Sequence, residues 1–345
     1  MGKALMNDGH HVDILMGGDG PIVTHFQDYG LKVHTIDHLK RNISPLDDFA
    51  AYREIKETLE KCSPDIVSTH SSKAGFLGRL AANALEIPVL FTAHGWSFTS
   101  GKKAVSRTVF RMLEKWVVPI TRRFITVSEY DRQLSLEKLS LSEGQVVTIH
   151  NGMVDIPEAL RADAGRGEPA NLVMVARFDQ QKNHADLLRA TAGIENLHLH
   201  FAGNGPLLPG IRKIANELGM SERVTFHGRL ETVTDLLSKS QIFALISHWE
   251  GFPRSTLEAM RAGLPTIVSD AGGAAEAVIH DKTGYVVSKG DIASIKKSVR
   301  ELVENPEKRA QMGREARRRY EENYTFDIMY KKTLSIYQEI LNHKF

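Results

Sequence analysis

The stretch Ser247–Asp270 reads Ser-His-Trp-Glu-Gly-Phe-Pro-Arg-Ser-Thr-Leu-Glu-Ala-Met-Arg-Ala-Gly-Leu-Pro-Thr-Ile-Val-Ser-Asp. It sets two carboxylates, Glu250 and Glu258, eight residues apart across a turn that opens a helix. Gly251 and Pro253 make the turn, Ser255 and Thr256 stand at the helix entry, and Leu257–Ala262 has helical composition. Freed amides and the dipole make such a helix start a good seat for phosphate. A carboxylate on either side of that seat suits a ligand that is part anion and part polyol.

Outward from this stretch the chain alternates β-branched runs with helical ones. Val12–Met16, Val33–Ile36, Asp65–His70, Val89–Ala93, Phe124–Val127 and Val146–Ile149 read as strands, separated by helices at Tyr52–Lys61, Ala74–Leu85, Val105–Val117 and Asp131–Leu139. The polar run Pro157–Pro169 has no periodicity and reads as a linker. Strands then resume at Leu172–Ala176, Leu197–Ala202, Val224–His227, Ile242–Ile246, Thr266–Val268 and Tyr285–Val287. The pattern predicts an α/β protein of two doubly wound, Rossmann-like halves. Residues 1–156 form the first domain, 157–169 the linker and 170–323 the second domain, and 324–345 form a terminal helix. A doubly wound half should open with a strand and a tight glycine turn. Met1–Asn7 instead reads as the end of a helix closed by Asp8-Gly9, so the first strand of the N-terminal domain is expected to be missing. Gly17–Gly20 follows the second strand and lacks the spacing to replace that loop.

Bulk properties exclude several classes. With 345 residues there is room for two cores, and 42% hydrophobic with 25% charged residues is ordinary for a globular chain. A net charge of +2 gives no reason to expect nucleic acid. A single cysteine, Cys62, precludes an internal disulfide and fits a reducing compartment. No signal peptide or bilayer-length apolar run is present, so a cytoplasmic chain is expected.

Further candidate residues fall where strands end. Arg177 offers a bidentate fork and Lys182 a point charge, together matching a diphosphate. Gly203 and Gly205, in Phe201-Ala-Gly-Asn-Gly-Pro206, let backbone approach a ligand closely. Asp270-Ala-Gly-Gly-Ala-Ala-Glu276 brings amides at Gly272 and Gly273; Glu276 is either part of that site or a helix-start acid. His94 ends a strand and turns through Gly95. Ser71, Ser72 and Lys73 open a helix, where they either bind an acceptor's anion or cap the helix. Asn151-Gly152 forms a turn just before the linker. No Asp-x-Asp and no histidine cluster at ligand spacing argues for a metal.

Taken in order, these motifs resemble the retaining nucleotide-sugar glycosyltransferases of the GT-B fold, family 4 (group 1). Glu250 and Glu258 match that family's E-x7-E signature, and Arg177 with Lys182 its R-x4-K pair. The resemblance runs from about residue 10 to the end. It implies two Rossmann-like domains facing an interdomain cleft, with the last helix crossing back to the first domain. It further implies that Glu250 orients the donor sugar, Glu258 holds the ribose hydroxyls, and His94 bonds the sugar as its link to diphosphate breaks. Arg177, Lys182, Gly203, Gly205, Gly251, Phe252, Pro253, Arg254 and Ser255 line the donor, and Arg229 lies where relatives hold the nucleotide base. Ser71, Ser72 and Lys73 fall on the acceptor side. No cofactor or metal is expected, because the cations and the helix start neutralise the leaving diphosphate.

The activity so implied is transfer of a sugar, by retention, from a nucleotide diphosphate donor of the UDP-sugar kind. The acceptor is a glycan or lipid-linked molecule, in capsule, lipopolysaccharide or other surface-polysaccharide synthesis. A GT-B nucleotide-sugar epimerase and a truncated sugar-nucleotide-binding protein share the same donor site and stay as alternatives. A glycoside hydrolase uses a carboxylate pair too, but Arg177 and Lys182 have no place in it. Gly101–Arg123 carries seven cations against Glu114 alone, interleaved with Val105, Val109, Phe110, Leu113, Trp116 and Val117. Such a helix either lies on an anionic membrane surface, making the chain peripheral on the inner membrane face, or packs its stripe on its own sheet.

Overall fold

The computed structural model describes residues 1–342 except Ser100, Lys102, Lys103 and Gly167. Lys102 and Lys103, counted above among the cations of the basic helix, therefore lie outside the described residues. The chain divides into two compact units. The first comprises 1–126, 132–149 and 330–345; the second comprises 127–131 and 150–329.

The first unit runs α1 (Gly2–Asn7), β1 (Asp13–Gly17), α2 (Pro21–Asp28), β2 (Lys32–Ile36), α3 (Pro45–Cys62), β3 (Val67–His70), α4 (Ser72–Asn83) and β4 (Val89–Ala93). It continues through α5 (Ala104–Val117), β5 (Arg123–Thr126), most of α6 (Glu129–Leu139) and β6 (Val146–Thr148). Every pairing is parallel, yet the sheet is in two pieces, β1–β2 and β3–β4–β5–β6. Among the described residues neither β1 nor β3 has a strand on its second edge. Two separate apolar clusters underlie the pieces. One gathers Ile36, Ile55, Leu59, Leu77 and Val89; the other gathers Phe91, Trp96, Phe124 and Val146.

The second unit is one continuous sheet. Its elements are β7 (Ala170–Val175), α7 (His184–Thr191), β8 (Leu197–Ala202), α8 (Leu208–Glu217), β9 (Val224–Gly228), α9 (Thr234–Ser238) and β10 (Ile242–Leu245). They continue with α10 (Arg254–Ala262), β11 (Thr266–Ser269), β12 (Gly284–Val287), α11 (Ile292–Glu304) and α12 (Pro306–Asn323). The strands lie in the order β12-β11-β10-β7-β8-β9, all parallel. Strands buried on both faces must be apolar throughout, and Ile242–Leu245 is. A single core runs from Leu172 and Phe201 to Ile267 and Tyr320.

The run 157–169 does not hang free. Ala162 donates its amide to Ala262 at 2.7 Å and the buried Arg309 bonds the Ala164 carbonyl; just before the run, Arg317 grips Asp155 with two bonds of 2.6 Å. The terminal helix α13 (Phe326–Asn342) begins in the second unit and continues in the first. Its first-unit part is tied by Tyr337 to Ser68 at 3.1 Å and by an Arg123–Glu339 ion pair.

Candidate functional site

Chain order runs away from β7 in both directions, to β8 on one side and to β10 on the other. Such a switch point opens a crevice outside the carboxyl ends of the two central strands, where open α/β sheets bind ligands. The loop after β7 carries Arg177–Lys182, and the loop after β10 carries Ser247–Pro253. They are joined by backbone: Asn183 donates to Ile246 at 2.8 Å and His248 to Gln181 at 2.9 Å. Sixty-eight residues apart in sequence, Lys182 and Glu250 form an ion pair. Gln181 donates to the other Glu250 oxygen at 3.1 Å and to the Trp249 carbonyl at 2.7 Å. The Glu250 side chain is only 5% exposed, so its lone pairs are committed to a fixed geometry.

Helix α10 starts beside it with Pro253 at the N-cap and no side chain capping its amides. The start of a nine-residue helix is thus left with open donors. Arg254 is exposed, Ser255 half-buried, and Phe252 buried against Tyr324 and His150. Glu258 lies one turn into the helix, where burial raises its carboxyl above the ordinary value despite Arg254 and Arg261 nearby. Among the described residues no side chain hydrogen-bonds it.

Two glycine loops close on this pair of strands. Gly203 has φ +146°, and a Cβ there would sit 1.9 Å from the Ala176 carbonyl oxygen. Its amide bonds Gly228 at 2.7 Å, which brings the His227–Glu231 segment and the exposed Arg229 alongside. Gly205 is equally pressed against Phe178. Gly272 and Gly273 pack on the Glu250 and Gly251 carbonyls, with a Gly273 Cβ meeting Gly251 at 2.0 Å and Ser128 at 2.4 Å. Arg177 is 69% exposed and leans on Asp179 at 3.7 Å, leaving its guanidinium available. The structure therefore brings together Arg177, Lys182, Gly203, Gly205, Arg229, Glu250–Ser255 and Glu258 within one unit.

The family described as Glycosyl transferases group 1 matches residues 155–319, and that described as Glycosyl transferase 4-like domain matches residues 1–152. The chain belongs to the group 1 glycosyltransferases of the GT-B fold. A curated relative is the UDP-Gal:alpha-D-GlcNAc-diphosphoundecaprenol alpha-1,3-galactosyltransferase of Escherichia coli. It is 29% identical, with 85% of this chain and 80% of that protein covered. The O-antigen biosynthesis glycosyltransferase WbnH of Escherichia coli is 24% identical, with 70% and 72% covered. Among solved structures, Anabaena HepE in complex with UDP and glucose superposes with a TM-score of 0.80 at 18% identity, covering 94% of this chain and 91% of that one.

In the transferase's first unit, His94 follows β4 and is exposed. Its ring stacks on His70 at 5.4 Å between centroids, Nε2 lying 3.2 Å from His70 Nδ1. Burial of the ring and the neighbouring His94 push His70 down to about 4, so it stays neutral at physiological pH. Ser71 is the N-cap of α4 at φ +62°, but its hydroxyl makes no cap bond, so the capping role considered for it is not the one adopted. Lys73 is tied to Asp48 and to the Asn42 carbonyl, contacts the sequence gives no means of anticipating.

Two further features of the transferase emerge only in three dimensions. Glu276 accepts from the Glu129 and Tyr130 amides at 2.8 Å each and from His150 at 2.8 Å. Burial pushes its carboxyl up, but those three bonds hold it below the usual range. Glu276 does not stand at the start of its own helical turn, Gly272–Ala277; its carboxylate accepts instead from the first two amides of α6. The second feature is α5, whose only acid, Glu114, is buried and pairs with the buried Arg79 at 2.7 Å. Helix α5 packs through Phe110, Glu114 and Val117, and turns Val105, Val109, Met112, Leu113 and Trp116 outward. The stripe is thus split, Phe110 and Val117 facing in and the rest facing solvent. No helix among the described residues is long and apolar enough to cross a membrane.

Proposed function

We propose that this transferase moves a sugar from a UDP-sugar, with retention of anomeric configuration, onto a lipid-linked glycan acceptor in surface-polysaccharide synthesis. The observation that carries the reading is the Lys182–Glu250 pair set beside the uncapped start of α10 at the switch point of the sheet. A diphosphate competes for the ammonium of Lys182, freeing Glu250 to accept from sugar hydroxyls. As the bond from the anomeric carbon to the diphosphate oxygen breaks, that oxygen takes the electron pair. Arg177, Lys182 and the α10 amides are the groups that stabilise the new charge, without need of a metal. Glu258, which no side chain among the described residues hydrogen-bonds, is assigned the ribose hydroxyls, and the family resemblance gives His94 the sugar. That the Escherichia coli relative is a UDP-Gal:alpha-D-GlcNAc-diphosphoundecaprenol galactosyltransferase supports both substrate classes.

The acceptor's lipid also accounts for α5. Val105 is 77%, Met112 64% and Trp116 65% exposed, and Arg107, Arg111 and Lys115 share the same helix. Leaving such a row exposed to water stabilises nothing, whereas at an anionic bilayer surface both the apolar side chains and the cations gain. Under this reading the protein is peripheral on the inner membrane face.

The test is nucleotide release from a UDP-sugar with and without a polyprenyl-diphosphate-linked saccharide. Acceptor-dependent release is expected, with a product of the donor's own anomeric configuration. Release that ignores the acceptor, an inverted product, or an epimerised sugar without release would each overturn the reading.

A further inference from the structure

Away from the donor site, three side chains from three elements of the first unit converge on one point. Asp13 opens β1, His34 lies in β2, and Cys62 is the last residue of α3. Asp13 Oδ1 is 2.7 Å from His34 Nε2, and Cys62 Sγ is 3.6 Å from the same nitrogen. All three ligating atoms lie within 4.8 Å of one another. A fourth group already touches the cluster: His11 Nε2 is 2.9 Å from the second Asp13 oxygen, on a side chain 78% exposed and free to swing.

We propose that Asp13, His34 and Cys62, completed by His11, form a binding site for a zinc-class divalent cation. The donor set of one thiolate, two imidazoles and one carboxylate is that of tetrahedral zinc. With Zn–S near 2.3 Å and Zn–N near 2.0–2.1 Å, tetrahedral geometry separates sulfur from nitrogen by about 3.6 Å. The Cys62–His34 spacing already has that value. The carboxylate-to-imidazole distance must open from 2.7 Å to about 3.4 Å, a shift of about 0.35 Å at each side chain. Lys32, 3.5 Å from Asp13 Oδ1 and largely exposed, turns outward as the cation enters.

The site's place in the fold indicates what the ion does. Asp13 is at the amino end of its strand, whereas ligands of open α/β sheets bind at carboxyl ends. The cation would therefore staple rather than catalyse. It joins β1, β2 and the end of α3, and β1–β2 is a two-stranded piece that pairs with no other strand among the described residues.

Because Cys62 is the only cysteine, a thiolate-to-metal absorption band can report on nothing else. Untagged full-length protein, stripped with chelator, is titrated with cobalt(II) and then zinc(II). One equivalent of cobalt should bind with a near-ultraviolet thiolate charge-transfer band, which zinc abolishes. Zinc should raise the unfolding temperature by a few degrees over the chelator-treated protein. Cys62→Ser should unfold like wild type in chelator yet lose both the band and the zinc shift, and His34→Gln should weaken binding at least tenfold. Cobalt binding without a thiolate band, no stoichiometric binding, or a Cys62→Ser protein that keeps its zinc shift would overturn the site.

Discussion

The two units are built from the same alternation of strand and helix, but they are held differently. The second has one sheet and one core, and its candidate-site loops are pressed together by glycines with no room for a side chain. The first has its sheet in two pieces over two smaller cores, and it turns much of α5 outward. A rigid constellation suits a small, defined donor, since preorganised groups need not rearrange as charge develops. An exposed apolar and basic face suits a partner that is a surface.

Gly273→Ala probes that contrast most severely. Its Cβ would meet the Gly251 carbonyl and Ser128, so the second unit should lose about 3 kcal/mol in denaturant unfolding. Gly20→Ala in the first unit, with nothing near its Cβ, should change stability by less than about 0.5 kcal/mol. Equal effects would break the comparison.

Next comes Lys182→Ala, which leaves Glu250 without its counter-ion and a diphosphate without its point charge. Sugar transfer should fall about 100-fold or more with the fold intact by circular dichroism. A variant as fast as wild type would remove Lys182 from the donor site.

The third concerns the surface. Arg107→Gln with Arg111→Gln should weaken sedimentation with anionic vesicles by about 2 kcal/mol, roughly 30-fold, and leave binding of UDP unchanged. Unchanged sedimentation would deny α5 a membrane role.

The smallest effect is at Glu258. Burial raises its carboxyl, so the folded chain holds that proton more tightly than the unfolded one. Stability from this group is therefore greatest below the ordinary value of 4.5 and falls as pH rises through the folded value. Donor affinity runs the other way, because only the carboxylate accepts from two hydroxyls. Glu258→Gln should be no less stable at pH 7, weaken donor binding a few-fold, and remove a loss of affinity seen in wild type on mild acidification. Calorimetric titration across pH checks all three.

Much of this was readable in the chain. Val89–Ala93 and Leu197–Ala202 are strands at the bounds their β-branched and aromatic composition predicts, and α10 begins one residue after Pro253. The helix α2 is only eight residues long, too short for Ile22, Val23 and Phe26 to establish a helical period in the sequence. Motifs at strand ends could be grouped into one candidate site because topology puts all such ends on one side of a parallel sheet. Pairings across distance were not readable: nothing in the order of residues joins Lys182 to Glu250, or Lys73 to Asp48. Periodicity likewise located the stripe on α5 but carried no sign for which part faces inward. That depended on Arg79, on another helix, drawing Glu114 under the surface; removing either partner alone should cost about 3–5 kcal/mol.

Glu276 bears on how such proteins can be recombined. Its carboxylate is held by amides of Glu129 and Tyr130, in a five-residue segment that belongs to the second unit although it lies upstream of β6. A chimera spliced anywhere in 150–169 would pair this acid with a foreign relative's backbone at 127–131. Exchange of first units between relatives therefore succeeds best when that short segment, with Ser128 beneath Gly273, travels with the second unit.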